Sequence, residues 1–308
     1  MLGVLAGFFV VWMLIFVGIF VARRGILTRD ARTSLSAFAF YVASPALLFE
    51  ILSHADLQAI FAAPLFVAAA GSLSTAVLFF LVVKLFLKRT ISESLMGAMS
   101  ASLANWGNLG IPIAAFVLGD SGYVAPLIIF QLAFFTPLML MGLDATTGGP
   151  RTSPWQLLLT ILRNPVIVGS ALGLAVAAAG IQVPDLIMEP IRLMGAAAIP
   201  TILVAFGMSL NGSVPLKAAD GRRLDTLLAS GFKLVVHPFL AYAFARFVLH
   251  LDSTALFAAV VVAAMPTAQN VFIVASRYQI GLVSAQDTVL ITTVVAVPVM
   301  LAVAQLLA

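Results

Sequence analysis

Cysteine is absent from the 308-residue chain, so neither a disulfide framework nor a thiolate metal site is available to it. Charge is scarce as well. Charged residues make up 9% of the chain against 62% hydrophobic residues, a balance that soluble domains do not show. Acid is missing from two particular stretches, because no Asp or Glu falls between Glu93 and Asp120 or between Asp252 and Asp287. A cation/proton antiporter would need a buried carboxylate there. His237 is the sole histidine deep in an apolar run, with no nucleophile partner and no deep aspartate pair, which argues against an intramembrane protease. No filter-like ring motif points to a channel. The most extended polar connections, Asp144 to Trp155 and Asn211 to Asp225, are too short to fold separately.

What is there is apolar sequence in span-sized runs, with a mean hydropathy of +1.14. About 20 apolar residues cross a bilayer, and ten runs qualify: 2–22, 35–52, 60–86, 93–119, 122–143, 156–181, 186–210, 226–249, 254–279 and 285–307. The first exceeds a signal-peptide core and is read as a retained helix. Placing the odd-numbered connections inside gives them fourteen of the sixteen Lys and Arg, leaving only Arg192 and Arg246 outside. The acids split six against six, as expected of a rule that counts positive charge. Both termini are then extracytoplasmic, in a multi-pass protein of the cytoplasmic (inner) membrane. Topology explains the basic pI of about 9.8, so nucleic acid is not a predicted partner.

Two spans carry polar interruptions in their middle, Asn105 to Pro112 in the fourth and Pro266 to Asn270 in the ninth. Lipid cannot hydrogen-bond freed backbone, so such breaks survive only against protein or a watery cavity. Pro45 and Pro200 stand 155 positions apart in the second and seventh spans, and Pro112 and Pro266 stand 154 apart in the broken pair. The matched prolines predict an all-α membrane protein of ten helices arranged as two inverted five-helix repeats, with helices 4 and 9 as the broken pair. The repeats are 1–143 and 156–308, and 144–155 is a short cytoplasmic linker.

Several motifs run through the chain in one order. They are Asn105-Trp-Gly-Asn-Leu-Gly-Ile-Pro112, then Arg163-Asn-Pro165 with Gly173, then Pro200-Thr-Ile-Leu-Val-Ala-Phe-Gly-Met-Ser209, and finally Met265-Pro-Thr-Ala-Gln-Asn270 followed by Tyr278. In these the chain resembles the auxin efflux carrier family of membrane transporters, whose bacterial members include malate and malonate permeases. The resemblance implies a crossover fold shared with bile-acid symporters and sodium/proton antiporters. Helices 1, 2, 6 and 7 would form its scaffold, 3 to 5 with 8 to 10 its transport unit, and a homodimer would form through the scaffold. It also implies alternating access by an elevator-like motion. The large central loop of many plant members is replaced by 144–155, which favours a prokaryotic permease over an auxin carrier.

The residues themselves give the chemistry. Proline suits the first position of a helix, so Pro112 and Pro266 are expected to open half-helices whose positive N-terminal ends point into the mid-membrane. A carboxylate fits there. The candidate substrate-binding set is Asn105, Asn108, Gly110, Pro112, Pro266, Thr267, Gln269 and Asn270, with Gly107 easing the turn, while the plainer role for the amides is to satisfy freed backbone. Pro45, Pro200, Gln131 and His237 are candidate cavity-lining residues. Lys233 and His237, four apart on one face, could attract an anion or move a proton. On the plainer reading Lys233 reaches the cytoplasmic interface, Arg246 the outer one, and His237 pairs with a backbone carbonyl. Glu50 reads as interfacial, and the sequon Asn211-Gly-Ser213 as inert on the cytoplasmic side.

The expected function is a secondary transporter of a small organic anion, without a cofactor. The alternative is a sodium-coupled carrier of the bile-acid symporter kind, and sodium or proton coupling stays open. Reporter tags fused to Met1 and Ala308 should both be accessible only from outside the cell; a cytoplasmic signal from either overturns the topology.

Overall fold

The computed structural model describes residues 2–54, 63–147, 153–211, 216 and 222–307. Met1 and Ala308, the middle of the expected linker, and Gly212 and Ser213 of the sequon lie outside the described residues. The described chain is entirely helical apart from turns and one isolated bridge. In order the helices are α1 (Leu2–Arg23), α2 (Asp30–Ser53), α3 (Ala63–Phe86), α4 (Ile91–Ser102), α5 (Trp106–Leu118), α6 (Gly122–Thr147) and α7 (Pro154–Leu162). Then follow α8 (Pro165–Ala178), α9 (Asp185–Ala196), α10 (Ala198–Leu210), α11 (Arg223–Val248), α12 (Ser253–Ala263), α13 (Asn270–Tyr278) and α14 (Leu282–Leu307). Six helical stretches among these residues, counting α9 with α10, are long and apolar enough to cross a bilayer. The protein is a multi-pass membrane protein.

Local sequence explains where the helices start. Thr90 and Glu93 form a reciprocal capping box at α4 (Glu93 N–H to Thr90 Oγ1, 3.3 Å; Thr90 N–H to Glu93 Oε2, 3.0 Å). Asp252 caps α12 through the Ala255 N–H at 2.8 Å, and Asn164 caps α8 through the Val166 N–H at 3.0 Å. That last cap corrects the expected span 156–181. The apolar run is two helices, broken at Arg163-Asn164 because Asn164 caps and Pro165 fits the first helical turn.

Prolines inside the spans do not end them. Wide turns with i→i+5 hydrogen bonding occupy Ala39–Ala43, Trp106–Gly110, Gln131–Phe135 and Phe232–Val236, and each finishes two residues before a proline: Pro45, Pro112, Pro137 and Pro238. Proline offers no N–H and its ring crowds the carbonyl four residues back. Widening the preceding turn relieves that clash while the helix continues.

Close backbone contact through glycine joins α1 to α10 and α2 to α8. A Cβ on Gly18 would stand 2.2 Å from the Val204 carbonyl oxygen, and one on Gly173 would stand 2.7 Å from that of Phe49. The two contacts correspond at one offset, since 173 − 18 and 204 − 49 are both 155. Gly207 lies against Ile15 and Gly169 against Pro45 in the same manner. Small residues are what allow apolar helices to gain dispersion energy at such separations in lipid. Gly18→Ala should therefore lower the thermal unfolding midpoint in detergent by an amount corresponding to at least about 1–3 kcal/mol of overpacking. Gly231→Ala, with nothing within 4 Å of the added methyl, should leave it unchanged or raise it; equal effects of the two would refute the close-contact account.

Candidate functional site

α4 has 12 residues, about 18 Å at 1.5 Å per residue, which carries it partway through a hydrocarbon core of about 30 Å. α12, with 11 residues, does the same in the second half of the chain. Where the two stop, their extended continuations cross. Ala104 and Thr267 form an antiparallel bridge, the Asn105 N–H donates to the Pro266 carbonyl (2.9 Å), and the Ala268 N–H donates to the Leu103 carbonyl (2.9 Å). These bonds exchange under one operation, because 268 − 105 and 266 − 103 are both 163.

The helix ends around the crossing are satisfied by side chains. The Thr267 hydroxyl donates to the Ser100 carbonyl (2.8 Å), and the Thr267 N–H donates to Thr292 Oγ1 on α14 (3.0 Å). The Trp106 indole N–H donates to the Val262 carbonyl (2.9 Å), and the Lys233 ammonium donates to the Ala263 carbonyl (2.7 Å). Val262 and Ala263 are the last residues of α12, whose carbonyls have no partner within the helix.

The half-helices do not begin at the prolines. α5 starts at Trp106, with Asn105 as its cap accepting the Asn108 N–H (3.3 Å), and Pro112 lies inside it behind the wide turn. α13 starts at Asn270, so Pro266 belongs to the extended crossing strand. Proline's tolerance at a first position invited the other assignment, and the 154-residue spacing of Pro112 and Pro266 does not coincide with the 163-residue spacing of the crossing bonds. Position 266 is matched by Leu103.

Asn105 is buried, and its Nδ2 finds no acceptor among the described residues. Gly110 and Pro112 are buried, Asn108 and Gln269 are half-buried, and Asn270 is exposed at the start of α13. Gln269 Nε2 reaches Ser209 Oγ on α10 at 3.5 Å. Beside the crossing, α1, α5, α10 and α14 enclose a cleft lined by Trp12, Ile15, Leu109, Phe206, Pro266 and Thr293, among others. The Thr293 hydroxyl is buried without a partner; it went unnoticed because a threonine in an apolar run carries no distinguishing pattern. Gln131 is buried with its Oε1 unpartnered. Pro45 packs its backbone on Gly169, and Pro200 is exposed.

Lys233 and His237 differ from expectation. Lys233 is wholly buried and does not reach an interface. Its Nζ lies 2.8 Å from His237 Nδ1, and His237 Nε2 lies 3.4 Å from Ser72 Oγ, so the histidine pairs with side chains and not with a carbonyl. A lysine ten residues into a span can snorkel or point inward with the same sequence pattern. Its partner, the open end of α12, exists only in the folded chain.

A helical membrane protein whose two broken helices cross, with a cleft beside the crossing, has the construction of a transporter. The chain belongs to the membrane transport protein family, the auxin efflux carrier family, whose profile matches residues 4–148 and 149–303. It is similar to a Rhizobium meliloti protein named "Putative malonate transporter", at 30% identity over 294 residues, covering 92% of this chain and 89% of that one. It also resembles uncharacterized transporters of Methanocaldococcus jannaschii (23% identity, 92% of each chain) and Escherichia coli (26% identity, 87% of this chain and 86% of that one). These relatives are named as transporters, not as enzymes.

Proposed function

We propose that the protein is a secondary carrier of a small organic anion, a carboxylate such as malonate, working by alternating access. The observation that carries the reading is Asn105: a buried amide whose Nδ2 has no acceptor among the described residues, at the N-terminal end of the half-helix α5. Buried donors are rarely left unpaired. The positive end of α5 and the free donor together match a carboxylate oxygen. Asn108, Gly110 and Pro112 follow that position in α5, and Pro266, Thr267, Gln269 and Asn270 lie in or directly after the strand that crosses it; together they complete the proposed site, whereas Pro45, Pro200, Gln131 and His237 are not among the residues lining the cleft. The name of the Rhizobium relative supports the substrate class.

The proposed architecture is ten spans in two inverted repeats, 1–143 and 156–308, joined by 144–155. The glycine contacts that recur at an offset of 155 support it. The proposed motion is that of a transport unit (α3 to α6 with α11 to α14) sliding against a scaffold (α1, α2 and α7 to α10). Among the described residues every ion pair between helices or connections falls within one unit. Arg89–Asp225 (3.0 Å) and Arg222–Glu93 stay within the transport unit, and Arg192–Glu50 (3.2 Å) within the scaffold. The Tyr278 hydroxyl donates to Asp144 within the transport unit as well (2.5 Å). Between the units lie the mostly apolar cleft and the long Gln269–Ser209 bond. Such a boundary costs little to break and remake. We place the carrier in the cytoplasmic membrane, as a homodimer through the scaffold.

Two measurements test this. Malonate affinity should fall further in Asn105→Asp and Asn270→Asp than in the corresponding Ala variants. A like charge about 4 Å away costs roughly 4 kcal/mol at an effective dielectric near 20, against roughly 0.5–1.5 kcal/mol for a lost neutral hydrogen bond. Wild-type affinity in all four folded variants removes these residues from the site. Separately, bis-maleimide linkage of Ile15→Cys to Ile113→Cys, which span the cleft, should stop malonate uptake, whereas linking Arg89→Cys to Asp225→Cys should not. Full uptake in the cleft-linked protein excludes the sliding motion.

A further inference from the structure

The crossing has one feature that its two halves do not share. At the end of α4 the capping groups are neutral: the Thr267 hydroxyl on the Ser100 carbonyl and the Leu103 N–H on the Met99 carbonyl. At the end of α12 the Ala263 carbonyl is capped by the ammonium of Lys233, 2.7 Å away, on a side chain with no exposed surface. One residue earlier, the Val262 carbonyl is held by Trp106, the first residue of α5. The charge therefore stands immediately beside the crossing, not at a membrane interface.

An ammonium has three donors and no lone pair. With Lys233 protonated, His237 Nδ1, 2.8 Å away, accepts from it and the Nε2 proton is directed at Ser72 Oγ on α3. The imidazole is fixed by packing too, since its ring lies against Gly71, where a Cβ would meet it at 3.5 Å. No carboxylate among the described residues forms an ion pair with Lys233; the acids near the cytoplasmic ends are taken by Arg89, Arg222 and Tyr278. What faces the ammonium is a carbonyl at the negative end of a half-helix together with a neutral ring nitrogen. Broken-helix carriers use such a C-terminal half-helix end and its unwound carbonyls to coordinate sodium.

We propose that Lys233 is a resident cation of the crossing: its ammonium fills, at the C-terminal end of α12, the place that a co-transported sodium ion would take, and the anion is carried without sodium. The charge is covalently held and travels with the transport unit, so the empty and loaded crossings differ by the substrate alone. This rests on the carboxylate reading of the same site.

The test compares wild type, Lys233→Ala and Lys233→Met, purified and in proteoliposomes, in choline, sodium and n-propylammonium chloride. Propylammonium matches the atoms removed from lysine beyond Cβ, and choline, a quaternary ammonium, has no N–H to donate to the Ala263 carbonyl. Wild-type thermal midpoint and malonate uptake should be the same in choline and sodium, within twofold for uptake. Lys233→Ala in choline should unfold at lower temperature and take up malonate at least tenfold more slowly, with both properties recovering in n-propylammonium or sodium. Lys233→Met fills the stem without charge, so it should fold, lose uptake at least tenfold and respond to no cation; it decides the case if the alanine variant does not fold. Severalfold stimulation of wild-type uptake by sodium, wild-type uptake by Lys233→Met, or a Lys233→Ala defect that neither cation relieves overturns the proposal. If wild-type vesicles take up neither malonate nor other carboxylates, the carboxylate reading fails, while the thermal midpoints, which need no substrate, still decide the role of Lys233.

Discussion

Everything in this molecule depends on giving hydrogen-bond partners to backbone that leaves helical geometry away from water. A peptide group stranded in hydrocarbon costs several kcal/mol, and the crossing strands expose a run of them. Reciprocal bonds between Leu103–Asn105 and Pro266–Ala268 meet part of the demand. Thr267, Thr292, Trp106 and Lys233 meet more of it with side chains drawn from three helices and from the crossing strand itself. The crossing is thus a knot of mutual caps. Removing one side chain leaves a carbonyl of another helix unpaired, which couples α4, α5, α11, α12 and α14 mechanically.

The two regions of the protein are held by different forces. Helices of the proposed scaffold meet through glycine, backbone on backbone, where dispersion at short range replaces the hydrophobic effect that lipid cannot supply. Around the crossing, cohesion comes from hydrogen bonds inside and from ion pairs at the rim: Arg89–Asp225 and Arg222–Glu93 tie the N-terminal ends of α4 and α11. Those pairs are partly exposed and each is modest alone. Placed on both strands of the same junction, they hold its angle.

Much of the helical layout is legible in the sequence because hydropathy is a direct readout of the solvent each residue meets. The locations of the polar interruptions are legible for the same reason. Their detailed geometry is not. Pro112 and Pro266 draw the eye as matching signals, yet one sits within α5 behind a widened turn and the other in extended chain. A proline signals only a missing N–H; whether the chain answers with a wide turn or an unwound strand depends on what stands opposite. The start of α8 was readable from Asn164 and Pro165, but averaging hydropathy over a whole run conceals a two-residue cap. The depth of Lys233 was not readable at all, since interfacial and inward lysines share one sequence environment.

The widened turn Phe232–Val236 contains Lys233 and ends immediately before His237. In a regular α-helix successive residues step by about 100°, and residues four apart sit nearly one above the other. An i→i+5 turn holds more residues, so it changes the azimuth at which the ammonium and the imidazole meet. Pro238 follows that turn by two residues, and the widening relieves the clash of its ring with the preceding turn. The proline makes no contact of its own with Ala263 or Ser72 in the hydrogen-bond chain, yet it sets the angle between its two central members. A helix-favouring residue in its place would let α11 tighten, and Lys233 would swing off the end of α12 although every polar group of the chain remained.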